Sequence, residues 1–469
     1  MAKISVVIPV LNGAEYIREC MDSIAGQTFS DLEILPVDAG STDGTMEILE
    51  EYAARDKRIR ILRSKKRSMG YQYNLGIVAA QGEYVGFCEA DDYLSRSMYE
   101  KLYALAQGWE LDYVRSDFDM FIDKEERIFL NYHLLAGSRT ELYGQVICPA
   151  RYPELLYRDV NMWNGIYRKE FLRRHRIVLN ETAGAAFQDT GFVIQTFLAA
   201  ERAMYVQEDA NRYRKDNLGS SVYNLKGVLN VVQEAEFADT YISRSGTADE
   251  YLRAVIFRRF CSLFFGFYGK LPPKEQFTED VRQAVNRFAA LAERQYRELP
   301  YYAAAFEGAE QSLSLDVLLR DLDAFDALRR RIDEMENNSR REFYRHVSGY
   351  PRAVIFGAGE MGTSLYALLR KNDYPGVVCF SDNNPAKWGK RLMGKEIIPP
   401  CDLAGLQDGK TVFLIAMSSR REVIKEQLLS MKIDGKYICR GIAVIPHNAM
   451  EADIRDSQAE REERNGFQK

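Results

Sequence analysis

Short apolar runs alternate with amphipathic segments at the start of this chain. The run Ile4–Val10 contains a proline and ends before the turn Asn12-Gly13, and a second run spans Leu32 to Val37. Between the two runs, apolar residues recur at the three- and four-residue spacing of one helix face, at Ile17, Cys20, Met21 and Ile24. The second run is followed by another helical pattern. Strands that alternate with helices in this way predict an α/β fold with a parallel sheet.

A third apolar strand, Tyr84–Cys88, runs directly into the carboxylates of Glu89, Asp91 and Asp92. In parallel sheets, ligands bind beyond the carboxyl ends of the strands, where this acidic turn and the loop at Asp38 arrive together. Glu89 and Asp91 are separated by one residue, and their oxygens suit a hard cation such as Mg²⁺ or Mn²⁺. A solvated acidic turn is the alternative for this segment alone.

Length and composition are those of a globular protein with two or three domains. The chain has 469 residues, of which 46% are hydrophobic and 28% are charged. Its net charge of -5 argues against nucleic acid as the main partner. The seven cysteines are scattered, which predicts neither a disulfide framework nor a zinc site and favours a reducing compartment. Because no apolar run has the length of a membrane span, we expect any membrane contact to be peripheral.

The motifs of the first half of the chain resemble those of glycosyltransferase family 2. They are Ile8-Pro9-Val10-x-Asn12, then Val37-Asp38-x-Gly40-Ser41-Thr42-Asp43-Gly44, and then Gly82-Glu83-Tyr84 ahead of Glu89-Ala90-Asp91. Members of this family are inverting enzymes of the GT-A fold. The resemblance implies that a nucleotide-sugar donor binds with its base and ribose against the first two motifs, at Pro9, Val10, Asn12 and Asp38. It also implies that the turn Glu89-Ala90-Asp91 binds the metal and the ribose.

Two positions depart from the family pattern. The usual second aspartate after the second strand is Ala39, and the first acid of the acidic turn is Glu89. Because glutamate carries its charge one methylene further out, we predict Asp91 as the direct ligand of the divalent cation. Glu89 would then contact the ribose or lie behind the metal. Ala39 leaves the choice of base open, with uridine as the default.

Further donor contacts are predicted around the same site. A helix that begins near Gly70 would favour an anionic diphosphate at its N-terminus, and the resemblance places Gln72 and Asn74 near the donor. Near residue 221, where the catalytic region of the family would end, Arg212 or Arg214 could donate bidentate hydrogen bonds to the diphosphate. Plain surface positions are the alternative for these two arginines.

A second carboxylate is predicted as the catalytic base. Gln188-Asp189-Thr190-Gly191-Phe192 stands where the family has a Glu-Asp-x-x-Phe-like motif. Inversion at an anomeric carbon needs a carboxylate that takes the acceptor proton on the face opposite the leaving diphosphate, and Asp189 fits this role. A helix cap is the alternative for Asp189. Trp163 and Asn164 are predicted to bind the acceptor, although an aromatic residue there also fits a core position.

Beyond residue 221 the pattern changes twice. Residues 222–348 are helical and charged, and arginines interrupt their aromatic-rich stretch, so we predict an internal core and not a membrane anchor. Residues 349–449 then open with a strand and the glycines Gly357, Gly359 and Gly362, and Asp382 ends the next strand. This arrangement predicts a Rossmann-like module that binds a nucleotide or only packs. The charged tail, 450–469, is predicted to be disordered.

The sequence therefore predicts a GT-A domain at 1–221, a helical extension at 222–348 and a Rossmann-like module at 349–449. The predicted function is inverting, metal-dependent transfer of a sugar from a nucleotide sugar, by default a UDP-sugar. The predicted acceptor is a hydroxyl of a glycan or lipid-linked molecule in cell-surface polysaccharide synthesis, and the predicted location is the cytoplasm or the inner face of the membrane. A catalytically silent nucleotide-sugar binder is one alternative. The other is a sugar-nucleotide oxidoreductase in which the N-terminal domain serves as a targeting arm.

Overall fold

The computed structural model describes most of the chain in two compact units. The described residues are 2–123, 127–135, 139–157, 161–185, 187–215, 217, 227–247, 249–269, 271, 273–295, 317–319, 321–416 and 421–439. One unit comprises Met1–Phe121 and Asn131–Arg320, and the other comprises Ile122–Leu130 and Asp321–Lys469. The predicted disordered tail at 450–469 lies outside the described residues.

The first unit is built on a mixed sheet. The strands of this sheet are β1 (Ile4–Val10), β2 (Leu32–Asp38), β3 (Leu62–Arg63), β4 (Tyr84–Phe87), β5 (Tyr93–Leu94), β6 (Tyr113–Asp123), β7 (Arg127–Tyr132), β8 (Gly165–Arg168) and β9 (Ala203–Arg214). The end of β6 and the start of β7 fall in the segment Ile122–Leu130, which is grouped with the other unit. The hydrogen-bonded order is β3-β2-β1-β4-β8-β6-β9-β5. Strand β1 pairs in parallel with β2 and β4, whereas β8 runs antiparallel to β4 and β6. The central parallel strands are those that the alternating pattern predicts.

Helices flank this sheet. They are α1 (Ile17–Ala25), α2 (Thr45–Arg55), α3 (Met69–Ala79), α4 (Met98–Gly108), α5 (Lys169–Arg174), α6 (Gln188–Ala199), α7 (Gly227–Ser245), α8 (Glu250–Tyr268), α9 (Pro273–Gln276) and α10 (Glu279–Gln295). Helix α1 buries the apolar stripe predicted for it, and this stripe packs against β1, β2 and β4 in one core. The hydroxyl of Ser68 accepts the N–H of Tyr71 and so caps α3.

The aromatic-rich stretch of α8 packs against α10. The ring of Phe264 stacks on that of Phe288 with 4.3 Å between centroids, and Phe257 lies 5.6 Å from the same ring. All three side chains are buried. Among the helices of the described ranges, none has both the length and the apolar character needed to cross a bilayer.

The second unit contains a mainly parallel sheet between two apolar cores, in which β12 (Arg391–Leu392) alone of the described strands runs antiparallel to its neighbour. Its strands are β10 (Arg352–Phe356), β11 (Val377–Ser381), β12 (Arg391–Leu392), β13 (Lys395–Ile398), β14 (Thr411–Ile415) and β15 (Ile438–Cys439), in the order β12-β13-β11-β10-β14-β15. Its helices are α11 (Leu322–Ser348), α12 (Glu360–Lys371) and α13 (Arg421–Ser430). Strand β10 pairs in parallel with β11 and β14. Its alternate side chains enter different cores, Ile355 one and Val354 the other.

Candidate functional site

A cleft of about 740 Å³ lies beyond the carboxyl ends of β1 and β4. Nine of the residues predicted from the sequence line it: Pro9, Val10, Asn12, Gln72, Glu89, Ala90, Asp91, Trp163 and Asp189. They come from separate loops, and Asp189 follows Asp91 by almost a hundred residues. The parallel strands β1 and β4 bring the first and third motifs to one edge of the sheet, as expected for this topology.

The acidic turn after β4 points two of its carboxylates in different directions. Asp91 faces the cleft, and one of its carboxylate oxygens accepts a hydrogen bond from the side-chain amide of Asn217 at 2.7 Å. Asp92 is buried, and its carboxylate accepts the N–H of Arg214 at 2.9 Å. The turn is therefore held by β9 through Asp92, which leaves the Asp91 side chain at the cleft.

The cleft brings several acidic groups together. Burial raises the pKa of Glu89 to about 8, and the charges of Asp91 and Asp189 add to this effect. A divalent cation would relieve the repulsion between these carboxylates, and Mg²⁺ is usually bound by one or two carboxylates together with phosphate oxygens of a ligand. Within the described residues, no group of three or more acidic, histidine or cysteine side chains could hold a metal ion. The Asp91 carboxylate at the cleft is of the kind that such a cation would need.

Asp189 lies in the first turn of α6 and also lines the cleft. Its carboxylate accepts the N–H of Thr190 at 2.8 Å. Burial raises the pKa of Asp189, while this hydrogen bond and the positive charges of Arg259 and Arg115 oppose the shift. The helix begins at Gln188 after the N-cap Phe187, so Asp189 is not the capping residue. The carboxylate is placed to face the cleft and is stabilised by the helix N-terminus.

Three residues that were predicted to bind the nucleotide-sugar donor form hydrogen bonds with the backbone near the cleft. The amide of Gln72 donates to the carbonyls of Val10 and Val37, and so ties together the ends of β1 and β2. Asp38 is buried, and its carboxylate accepts the N–H of Gly40 at 2.8 Å. Asn74 makes two hydrogen bonds to the backbone of residue 179. Of these three, Gln72 lines the cleft, whereas the described lining includes neither Asp38 nor Asn74.

The two predicted arginines of β9 form ion pairs instead of facing the cleft. Arg212 pairs with Asp119 at 2.5 Å, and Arg214 pairs with Glu19 at 2.8 Å. Arg214 also donates to the carbonyl of Asp91 at 3.0 Å, which fixes the acidic turn. Neither arginine is among the described residues that line the cleft.

Of the two residues predicted to bind the acceptor, one is among the described residues that line the cleft and the other is not. Trp163 lines the cleft, and its ring stacks on Tyr213 with 5.1 Å between centroids and an interplanar angle of 18°. Asn164 is fully buried, and its side chain bonds to Ser116 and Arg115. Trp163 is only 3% exposed, so little of its surface reaches the cleft.

The sequence reasoning missed several residues of the cleft. Tyr213 and Asn217 both line it, close to the two arginines that were chosen. Because successive side chains of a strand point to opposite faces, choosing Arg212 and Arg214 on β9 excluded the residue that faces the cleft. Arg259 of α8 lies outside every motif, and its effect on Asp189 depends on tertiary packing that no local signal reveals.

In the second unit, the predicted glycines and Asp382 come together at one turn. Gly357 has a φ of +113°, which favours glycine, and a Cβ on Gly362 would lie 1.9 Å from the carbonyl oxygen of Gly357. Gly359 is the N-cap of α12. The carboxylate of Asp382 accepts the N–H of Ala358 at 2.8 Å, and Lys387 pairs with it at 2.9 Å.

Comparisons with known proteins concern two regions of the chain. Residues 5–174 match the family model described as Glycosyl transferase family 2, and residues 349–439 match C2185-like, N-terminal. The first match is to the family that the motifs of the N-terminal region resemble, and it supports the prediction of a glycosyltransferase. The match at 349–439 does not test whether that module is Rossmann-like.

Several curated glycosyltransferases are similar to the chain. It is 32% identical over 216 residues to the uncharacterized glycosyltransferase EpsJ of Bacillus subtilis (strain 168), which covers 45% of this chain and 61% of EpsJ. It is 27% identical over 275 residues to the cholesterol galactosyltransferase of Borreliella burgdorferi, covering 56% of this chain and 74% of that protein. The chain thus spans less than two thirds of the length of EpsJ.

The fold is also found in a solved structure. S. aureus TarS 1-349 in complex with UDP-GlcNAc has a TM-score of 0.56 and 20% sequence identity, and the match covers 72% of this chain and 91% of that chain. At this identity the similarity establishes the fold alone. It confirms the predicted α/β, GT-A-like architecture of the N-terminal region.

Proposed function

We propose that this protein transfers a sugar from a nucleotide-sugar donor to a hydroxyl of a glycan or lipid-linked acceptor, with inversion at the anomeric carbon. The observation that carries the proposal is that Asp91 and Asp189, from loops far apart in sequence, line one cleft of about 740 Å³. This volume lies within the range of about 300–1,000 Å³ that is typical of small-molecule sites. It suits a donor and the hydroxyl that attacks it.

Asp189 would act as the general base. The acceptor oxygen attacks the anomeric carbon as the bond to the diphosphate breaks, and the hydroxyl proton passes to the Asp189 carboxylate. Burial raises the pKa of Asp189, which makes its carboxylate a better proton acceptor than an exposed aspartate. Trp163 and Tyr213 would flank the acceptor, because both lie in the cleft with Asp189.

Asp91 would hold a divalent cation, Mn²⁺ or Mg²⁺, and the hydrogen bond from Asn217 orients its carboxylate for this purpose. Such a cation, when bound, supplies positive charge against the diphosphate leaving group. Glu89 would contact the ribose or lie behind the metal. The buried hydrogen bonds of Asp38 support a role in holding the loop that meets the base, and the ion pairs of Arg214 support a role in fixing the acidic turn.

The donor is proposed to be a UDP-sugar. TarS, which has the same fold, was solved with UDP-GlcNAc and with UDP. Because the sequence default was also uridine, UDP-sugars form the first set to test. We place the activity in cell-surface polysaccharide synthesis at the cytoplasmic side, with peripheral membrane contact for a lipid-linked acceptor.

The rest of the chain is proposed to support this domain. Residues 222–348 would form a helical extension, and 349–449 a Rossmann-like module. The parallel β10, β11 and β14, with three glycines and Asp382 at one turn, favour a nucleotide as the ligand of this module. Lys387 already pairs with Asp382, so a ribose would have to compete with this ion pair.

The test is a thermal-shift screen of nucleotide sugars with and without Mn²⁺, followed by transfer assays with those that bind. A donor at a hundred times its dissociation constant should stabilise the protein by about 2.7 kcal/mol. Asp91→Asn should lose the part of the shift that depends on Mn²⁺. Asp31→Asn is the matched control, because Asp31 is exposed and precedes β2, at the opposite end of the strand from the cleft.

Two results would contradict the proposal. If no nucleotide sugar stabilises the protein, the cleft is not a donor site. If a donor binds but its nucleotide is never released faster in the presence of glycan or lipid-linked acceptors, the protein is a nucleotide-sugar binder and not a transferase.

A further inference from the structure

Glu234 of α7 is a buried carboxyl that contacts the helix carrying Asp189. It lies beyond residues 5–174, which match the family model, and it is only 1% exposed. One carboxylate oxygen accepts the N–H of Gly191 at 3.0 Å, and the other accepts the side-chain amide of Asn180 at 3.0 Å. Both oxygens are therefore used as acceptors, each by a different segment.

The first of these contacts leaves no space at the start of α6. A Cβ on Gly191 would lie 2.0 Å from the carboxylate oxygen of Glu234. Gly191 stands two positions after Asp189 in the first turn of α6. The free N–H groups of a first helical turn need acceptors, and Glu234 supplies one from outside the helix. The position of this turn thus depends on the Glu234 carboxyl.

The entry to α6 is strained and needs such support. Phe187, the N-cap, has a φ of +65°, in the left-handed region that a phenylalanine rarely adopts. A conformation of this kind persists only where surrounding contacts impose it. The ring of Phe187 packs edge-on against Phe267 of α8 at 4.7 Å, so α7 and α8 both hold the segment.

The second contact reaches the segment that leads into α3, which adjoins the segment before α6. The carbonyl oxygen of Asn180 approaches Gly70 so closely that a Cβ there would lie 1.8 Å away. Gly70 follows Ser68 and Met69, which line the cleft. Through Asn180, the same carboxyl is linked to the start of α3. Glu234 therefore connects two adjoining segments that line the site, and it is not itself among the described residues that line the cleft.

We propose that Glu234 is a positioning residue, which holds the first turn of α6 and the segment at Asn180 so that Asp189 faces the acceptor side of the cleft. The inference rests on the proposed function. It also means that the catalytic domain extends functionally past residue 221, because α7 supplies a group that the base requires.

The first experiment compares Glu234→Ala and Glu234→Gln with Glu236→Gln. Glu236 lies on the same helix and pairs with Arg287, so it is a matched control. Since a misplacement of about 1 Å can cost about a hundredfold in rate, Glu234→Ala should lower kcat for sugar transfer on the order of 100-fold. The affinity for a UDP-sugar should change by less than about threefold, because Glu234 does not contact the cleft. Glu234→Gln keeps one acceptor oxygen, so its kcat should lie between that of Glu234→Ala and that of the wild type.

Two readouts separate this role from general destabilisation. The amide of Gly191 should exchange with deuterium faster in Glu234→Ala, while amides of β1 should not. Gly191→Ala should lower kcat for transfer when it is introduced into the wild type. In the Glu234→Ala background it should lower kcat little further, because the carboxylate that its methyl group would strike is then absent.

The outcomes are distinguishable. If no UDP-sugar binds the wild type, the proposed function fails and the positioning role fails with it. If the donor binds and transfer by Glu234→Ala equals that of the wild type, only the positioning role is refuted. If Glu234→Ala loses donor affinity as much as kcat, Glu234 stabilises the whole site and does not position the base.

Discussion

Replacing Asp189 by asparagine removes the charge of this residue and keeps its size. The side chain lines the cleft, and its carboxylate accepts the N–H of Thr190 at 2.8 Å. An asparagine oxygen can accept the same hydrogen bond, so the first turn of α6 should keep its position. The substitution therefore tests proton transfer with little change in geometry.

The expected loss follows from the role of a general base. Such groups contribute about 10²- to 10⁴-fold to rate. At about 1.36 kcal/mol for each tenfold change, Asp189→Asn should raise the barrier to transfer by about 2.7–5.4 kcal/mol. Donor affinity should stay within about threefold of the wild type, because the predicted ligand of the cation is Asp91.

The thermal stability of the Asp189→Asn variant should not fall with its rate of transfer. Burial raises the pKa of Asp189 in the folded protein, so ionisation of this group costs stability. In the wild type this cost is absent below the pKa of Asp189 in the unfolded chain, which is about 3.9. The cost appears as pH rises towards and through the higher pKa that Asp189 has in the folded protein. Without added cation, Asp189→Asn should melt at or above the wild-type temperature at pH 7, and the difference should vanish near pH 3.

The assay measures nucleotide release with and without acceptor, alongside thermal melting, with Asp31→Asn as the control. Transfer by Asp189→Asn within about threefold of the wild type would refute the assignment of the base. A lower melting temperature at pH 7 would instead indicate that the carboxylate has a structural role that asparagine cannot fill.

Three further predictions concern the fold and the cation. Gly76→Ala should lower the free energy of unfolding by about 1–3 kcal/mol in urea denaturation, because its Cβ would lie 2.2 Å from Val7 Cγ1; Gly108→Ala, which faces open space, should change it by less than about 1 kcal/mol. Although burial opposes the shift, hydrogen bonds from Ser5, Arg60 and the N–H of Gln81 lower the pKa of Glu33. Glu33→Gln should therefore melt below the wild type at pH 7, with a smaller difference below about pH 4. Mn²⁺ and UDP together should raise the melting temperature by more than the sum of their separate shifts, because a cation bound by Asp91 and by the diphosphate binds more tightly when UDP is present. A combined shift equal to that sum would contradict a shared cation.

The central strands and the loops of the site could be predicted because both depend on local patterns. An apolar run followed by a polar turn sets the strand and the residue that leaves its end, and parallel pairing then brings Val10 and the acidic turn to one edge. Asp91 was predicted from such a pattern, in the acidic turn that follows β4. Asp189 was predicted from the resemblance of its segment to a family motif, and both side chains line the cleft.

The arginines of β9 could not be assigned in this way, since the sequence does not show which face of a strand meets a ligand. Arg214 is buried against the rings of Tyr16 and Phe121, at 4.6 and 4.5 Å, and its charge is balanced by Glu19. A basic residue near a predicted phosphate site is an equally good partner for an acid elsewhere in the fold. Only the tertiary structure distinguishes these two uses.

The surroundings of Asp189 take this argument one step further. The residues that set its orientation and charge are Glu234 on α7, with Phe267 and Arg259 on α8, which follow it by about 45 to 80 residues. A motif search finds the carboxylate but not the groups that aim it or oppose its protonation. Two chains with the same Gln-Asp-Thr-Gly-Phe segment could therefore differ in base strength if their following helices differ. Among chains with these motifs, the orientation and base strength of this carboxylate should then vary with the helices that follow the sheet as well as with the motifs themselves.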